Sequence, residues 1–472
     1  MSIFSEKEKE LAYILPGRLA GKVKRVVGLL VEVTPMALPV GSVCNIHSRL
    51  AGIAVSAEVV GFREDATLMM ALGEMRGVGP GDMVESVATS QTVPVGYHLL
   101  GRVINGLAQP IDGKGEICAT ETRPVYRDPP DPVMRPRILE PLEIGVRAID
   151  AFITIGRGQR IGIFAGTGVG KSTLMGMITR FSQAEVCVVS LVGERGREVR
   201  EFIEKELGPE GMAKSVIVVA TSDQPAPVRV RCPFVATAIA EYFRDQGKDV
   251  ALLMDSVTRM AMSQRDIGSS IGEVPSAGKG YPASVFSLLP RLMERSGKTE
   301  TGSITGFYTV LVEGDDMNEP IADAARGILD GHIILDRTIA QKNHYPAINV
   351  MQSLSRVQSQ IVGKEFKQAA GALRGALTVY SENEDMINIG AYSGGRNQDI
   401  DRAIRIMPKL QEFLQQGMDE KADFAKTEKQ LLELAGEYAR PVAGGAPMRP
   451  AASPARPAPA ARPMARPGAV RR

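Results

Sequence analysis

The chain has 472 residues, enough for about three domains at roughly 150 residues each. With 44% hydrophobic and 23% charged residues it has the make-up of a soluble globular protein, which excludes collagen-like, disulfide-stapled and wholly disordered chains. The net charge of +2 hides an asymmetry: residues 441–472 hold six arginines and no acid, which leaves the first 440 residues at −4. A mildly acidic body argues against a general nucleic-acid binder. Cys44, Cys118, Cys187 and Cys232 form no CxxC pair, and His47, His98, His332 and His344 have no HExxH spacing, so cysteine- or histidine-based metal centres lack material. The charged N-terminus (MSIFSEKEKE) does not read as a signal peptide and no apolar run approaches 18 residues, so the expectation is a cytoplasmic protein.

In chain order, residues 1–17 offer one short helix with Ile3, Phe4, Leu11 and Ile14 on an irregular apolar face, either a partner-binding helix or a fraying end. Residues 18–93 change to short β-branched runs (24–33, 55–61, 67–72) punctuated by Gly and Pro, the rhythm of a small β-barrel or sandwich. Residues 94–356 alternate apolar strands with helical patterns, which predicts βαβ units on a mostly parallel sheet. The strands fall at Arg160–Ala165, Val186–Val192, Ser215–Ala220, 250–255 and 304–312, with helices at Lys171–Phe181 and 233–244. Residues 357–440 read as a helical domain, with long patterns at 366–379 and 400–416. Residues 441–472, with eight prolines and ten alanines, cannot bury enough apolar surface to offset ordering entropy and read as disordered. This tail is either an appendage or a cationic arm for anionic lipid or an acidic partner.

The sharpest chemical signal is AGTGVGKS at 165–172, between a strand and a helix. Gly166, Thr167, Gly168, Val169 and Gly170 form a loop whose backbone N–H groups can converge on phosphate oxygens. Lys171 can reach the β- and γ-phosphates of ATP, Ser172 can ligate Mg2+, and Thr173 follows in the first helical turn. Ala165 replaces the first glycine of the strict pattern. The metal needs a second holder on a neighbouring strand, and VALLMD ends on Asp255. Hydrolysis needs a carboxylate to polarise water, and Glu194 ends the strand after the P-loop helix; the alternative is an ion pair with Arg195 or Arg197.

Residues 346–355 (PAINVMQSLS) match P-[SAP]-[LIV]-[DNH]-x-x-x-S-x-S at every specified position. Together with Gly193-Glu194-Arg195 and the strand ending at Asp255, this resembles the ATP synthase α/β family. Stretches such as VGERGREVREFI, MDSVTRMAMSQRDIG and VEGDDMNEPIADAARGILDGHIILDR are similar to its flagellum-specific export ATPases and their virulence type III secretion relatives, over residues 18–438. The resemblance implies an N-terminal β-barrel, a RecA-like P-loop domain and a C-terminal helical domain, assembled as a homohexamer with ATP sites between subunits. It implies an Mg2+-dependent ATPase energising export, peripheral at the cytoplasmic face of the inner membrane. The implied partners are a stator or regulator protein, the export gate, export substrates and their chaperones, and the cationic-arm reading of the tail adds an anionic membrane surface. By position, Arg195 and Arg259 match family arginines near the γ-phosphate, and Arg356 matches an arginine lent to a neighbour's site. Tyr345 matches an aromatic against adenine, with a core tyrosine as the alternative.

A Rho-like RNA translocase should carry an aromatic, basic single-strand platform in its N-terminal domain. Residues 18–93 hold Phe62 as their one aromatic, so no nucleic-acid partner is expected. A non-hydrolysing ring subunit is disfavoured by Glu194. Flagellar and virulence export are poorly separated by short motifs.

Overall fold

The computed structural model describes residues 19–441 apart from 313 and 315. The expected N-terminal helix and the Pro/Ala/Arg-rich tail lie outside the described residues.

Six strands, β1 (Ala20–Val27), β2 (Leu30–Val33), β3 (Val43–His47), β4 (Ala54–Arg63), β5 (Ala66–Ala71) and β6 (Met83–Ala88), close into a barrel in the order β1-β2-β5-β4-β3-β6. Alternation sends Val23, Val31, Val33, Cys44, Ile46, Val59, Met69 and Val84 inward as its core. The run 24–33, read from sequence as one unit, breaks into β1 and β2 at Gly28, whose φ of 58° makes the turn.

Eight further strands form the main path of a nine-stranded sheet: β7 (Val103–Asn105), β8 (Arg160–Ala165), β9 (Val186–Val192), β10 (Ser215–Ala220), β11 (Asp249–Asp255), β12 (Ser303–Leu311), β13 (Gly331–Leu335) and β14 (Leu354–Ser355). Their order is β14-β13-β8-β12-β11-β9-β10-β7, with Gly297–Lys298 pairing antiparallel to β12. From β7 to β13 every neighbouring pair is parallel, and β14 closes one edge antiparallel. Both faces are covered, which is why β9 and β10 are buried at every position. The parallel strands leave their C-terminal ends along one edge, where an open α/β sheet binds its ligand.

Helices α1 (Arg147–Phe152) and α2 (Lys171–Phe181) share a core with the C-terminal helices, while α3 (Ala226–Asp245) and α4 (Val257–Ile271) contribute to another. α3 begins seven residues before the expected Pro233. Pro227, in the first turn, is the proline at the helix start, and Pro233 lies inside it. The C-terminal helices are α5 (Lys364–Asn388), α6 (Gln398–Leu414) and α7 (Phe424–Ala439). They dock through Phe366, Leu373, Leu410, Phe413 and Leu431, with Phe152 and Phe413 edge to face at 6.4 Å.

Candidate nucleotide-hydrolysis site

β8 delivers the chain to the sheet's C-terminal edge at Ala165, and α2 starts at Lys171, so residues 166–170 turn within five residues. Gly168 and Gly170 hold φ of 79° and 90°, a backbone open to glycine and strained for other L-residues. Val169 is buried and anchors the loop, while Thr167 and Gly168 face outward and Gly166 is covered. A methyl group added at Gly168 would meet nothing within 4 Å, so the loop borders open space of the kind a phosphate needs. Ser172 is exposed on the first turn of α2. The Thr173 hydroxyl instead donates to Glu206 Oε1 at 3.3 Å, so that side chain is turned away from the loop.

Lys171 Nζ lies 2.6 Å from Asp255 Oδ1 and 3.5 Å from Glu194 Oε1. Thr309, near the end of β12, donates its hydroxyl to the same Asp255 oxygen at 2.8 Å. Glu194 is 8% exposed, and among the described residues its Oε1 has no hydrogen-bond partner, only Lys171 and the Arg259 Nε at 3.8 Å. Burial pushes the Glu194 carboxyl up to about 7; Lys171 opposes the shift and Asp255 adds to it. Gly193 makes this approach possible. Its φ is 70°, and a Cβ there would lie 2.7 Å from Arg259 Cδ.

Arg195 is not gathered into the site: its side chain is 81% exposed, 3.9 Å from Glu198. The alternative pairing of Glu194 with Arg195 or Arg197 does not form, since Arg197 bonds Glu201 at 3.0 Å. Tyr345 is 44% exposed, so the core alternative fails. Its ring lies 3.7 Å from where a Cβ on Gly170 would be, against the end of the P-loop.

Arg356 lies elsewhere. Its N–H donates to Asp330 O at 3.0 Å and its guanidinium to Arg326 O at 3.4 Å, on the exposed surface. Asp330 is held by Arg160 at the first residue of β8, five residues before Ala165. At about 3.3 Å per residue, that is roughly 17 Å from the P-loop of its own chain, beyond an arginine's reach.

Thr309 and Gly193 escaped the sequence reading as site residues. Thr309 lies in an apolar run with no local signal, and its role appears only when β11 and β12 pair.

The site's own atoms fit a nucleotide and its metal: a glycine cradle over open space, a half-buried lysine between two acids, and a carboxylate oxygen without a hydrogen bond among the described residues. These are the parts of a P-loop nucleoside-triphosphatase. The nucleotide-binding domain of the ATP synthase alpha/beta family matches residues 145–355, that family's beta-barrel domain matches 23–87, and the T3SS EscN ATPase C-terminal domain matches 362–433. The chain is 53% identical over 417 residues to the flagellum-specific ATP synthase of Bacillus subtilis, covering 88% of this chain and 95% of that protein. It is 49% identical over 420 residues to the type 3 secretion system ATPase of Xanthomonas euvesicatoria, covering 89% and 95%. Among solved structures, the assembled ATPase EscN of the enteropathogenic E. coli type III secretion system superposes with a TM-score of 0.84 at 42% identity, over 88% of this chain and 100% of that one. The chain belongs to the ATP synthase α/β family, in its branch of flagellar and type III secretion export ATPases.

Proposed function

We propose that this ATPase energises flagellar protein export as a homohexameric ring whose ATP sites are shared between subunits, at the cytoplasmic face of the inner membrane. The observation that carries the chemistry is Lys171 held between Asp255 and Glu194 at the mouth of the P-loop. Lys171 neutralises phosphate charge. Ser172 and Asp255 would hold Mg2+ from two sides, and the ion would supply positive charge to offset the charge that develops on the phosphates. Binding draws Lys171 from Asp255 toward the phosphates, which frees the Asp255 carboxylate. Glu194, with an oxygen free of hydrogen bonds and a carboxyl poised near neutrality, polarises the attacking water. Arg259 lies beside Glu194, within reach of charge on the transferred phosphoryl group. Tyr345 offers a ring for the adenine next to Gly170.

Arg356 completes the neighbour's site. Its distance from its own P-loop and its exposed position support an action between subunits. EscN is solved as an assembled ATPase, alone and in complex with its central stalk EscO. By analogy, this ring would take a regulator in its axis, with the export gate, cargo chaperones and anionic lipid as further contacts.

Flagellar export is favoured by the 53% identity to the Bacillus subtilis protein, and the 49% identity to a type 3 secretion ATPase keeps virulence export as the second reading. Deleting the gene and restoring it with the native or the Lys171→Ala sequence tests both. The first reading predicts that flagellar subunits reach the medium and motility returns with the native sequence alone. Normal motility in the deletion, with loss of effector secretion, supports the second.

A further inference from the structure

Residues 415–421, between α6 and α7, belong to the helical domain yet are tied to the nucleotide domain at four places. Arg180, near the end of the P-loop helix, bonds Asp419 at 2.9 Å and Met418 O at 2.6 Å. Arg147 bonds Gln415 O and Glu420 at 3.1 and 2.5 Å. The other two, Gly145 and Tyr345, are both held by one buried residue, Gln416, which is 6% exposed. Its Oε1 accepts from Arg147 N at 2.7 Å, and its Nε2 donates to Gly145 O at 2.8 Å and Glu420 O at 2.6 Å. Its backbone N–H donates to Tyr345 O at 3.0 Å.

The amide is therefore bonded on both sides, and only one orientation fits: the oxygen faces an N–H and the nitrogen faces two carbonyls. Gly145 in turn packs against the end of α2, where an added Cβ would lie 2.6 Å from Phe181 Cβ, and its N–H donates to the buried Asp150. Gln416 thus joins three bodies: the linker into the nucleotide domain, the loop of the helical domain, and the residue whose ring lies on the P-loop.

We infer that Gln416 is a positioning residue for ATP: its side chain locks the 415–421 loop so that its backbone holds Tyr345 in place for the base, which makes base binding depend on where the helical domain sits. The inference rests on the reading of Tyr345 as the base platform. Among the described residues, Gln416 hydrogen-bonds to Arg147, Gly145, Glu420 and Tyr345 and to no phosphate-site residue, so it acts on the base end of the nucleotide and leaves the phosphate end alone.

The test uses the full chain under ring-forming conditions. It compares native protein, Gln416→Ala, Tyr345→Ala and the double variant, reading kcat and KM for ATP and inhibition by inorganic tripolyphosphate, which has phosphates and no base. Gln416→Ala should raise the KM for ATP about tenfold, the scale of a lost buried hydrogen bond. Its kcat should change less than about twofold, and tripolyphosphate inhibition should stay at the native value. In the Tyr345→Ala background, Gln416→Ala should add nothing. If Tyr345→Ala leaves the KM unchanged, the base-platform reading fails. If Tyr345→Ala raises the KM and Gln416→Ala does not, or if Gln416→Ala shifts ATP and tripolyphosphate together, the positioning role is overturned. Arg180→Ala is the folding control, since it loosens the same loop and keeps the Gln416 bonds. If it copies Gln416→Ala on the KM for ATP, the effect belongs to general loosening and the inference falls.

Discussion

In the proposed mechanism Lys171 serves binding and Glu194 serves chemistry. Lys171→Ala removes the charge that meets the phosphates and leaves Asp255 and Glu194 facing each other, so affinity for ATP should fall on the order of a hundredfold in a fluorescent-nucleotide titration. Glu194→Gln keeps the shape but cannot polarise water, so binding should persist while phosphate release drops by at least about a hundredfold, the lower end for a general base. The raised Glu194 carboxyl gives a sign as well. Below about pH 7 it holds its proton and turnover falls; above, the carboxylate is present and the rate levels off. A rate flat from pH 6 to 8.5 would remove Glu194 from the water-polarising role. The P-loop and Asp255 were legible because each is local, a strand end followed by glycine or acid. Of the partners that tune them, Thr309 was not, since it arrives from another strand, and Arg259 was legible only through the family resemblance. Arg195, adjacent to Glu194 in sequence, turns out to solvent because the helix starting at Gly196 carries it to the surface.

At the scale of elements, the turn after β9 and the start of α4 form one unit. Gly193 bends with φ 70° under the Arg259 side chain, and Ser256 caps α4 by accepting from Arg259 N. Gly193→Ala should push Arg259 from Glu194 and cut turnover at least about tenfold, while strain of about 1 kcal/mol leaves the fold intact; phosphate release beside thermal unfolding checks both. Native turnover in that variant would mean that Arg259 is dispensable there. Leu410 of α6 is fully buried, so Leu410→Ala should cost about 2–5 kcal/mol in denaturant unfolding. The buried parallel strands were the easiest elements to read, and Arg160–Ala165, Val186–Val192 and Ser215–Ala220 form with the anticipated ends. α5 runs to Asn388, nine residues past the last position of the apolar pattern, because its final turns are largely exposed and carry little apolar periodicity to read.

For the whole molecule, two features reach beyond one subunit's core. α7 ends where Arg405 holds Glu437 O and Arg440 O at 2.9 and 2.7 Å, so a chain cut after Arg440 should fold and hydrolyse ATP at the native rate. If the six arginines beyond it form a cationic arm, the cut should also weaken binding to anionic vesicles at low salt, where each basic residue contributes on the order of 1 kcal/mol. Arg356 was legible only through the family resemblance; its position roughly 17 Å from its own P-loop needed the sheet register.

Shared sites are the central claim, and the most direct measurement is the ATPase rate of an equimolar mixture of Arg356→Ala and Glu194→Gln after subunit exchange, with mixed rings verified by mass. An Arg356→Ala subunit keeps its Glu194, and a Glu194→Gln neighbour keeps its arginine, so about a quarter of random interfaces carry both native residues. Activity should therefore reappear from two proteins that are each nearly inactive, because loss of a trans arginine typically costs about 10³–10⁵ in turnover. Near-native hydrolysis by Arg356→Ala alone, or a mixture of verified mixed rings no more active than its parents, would contradict it.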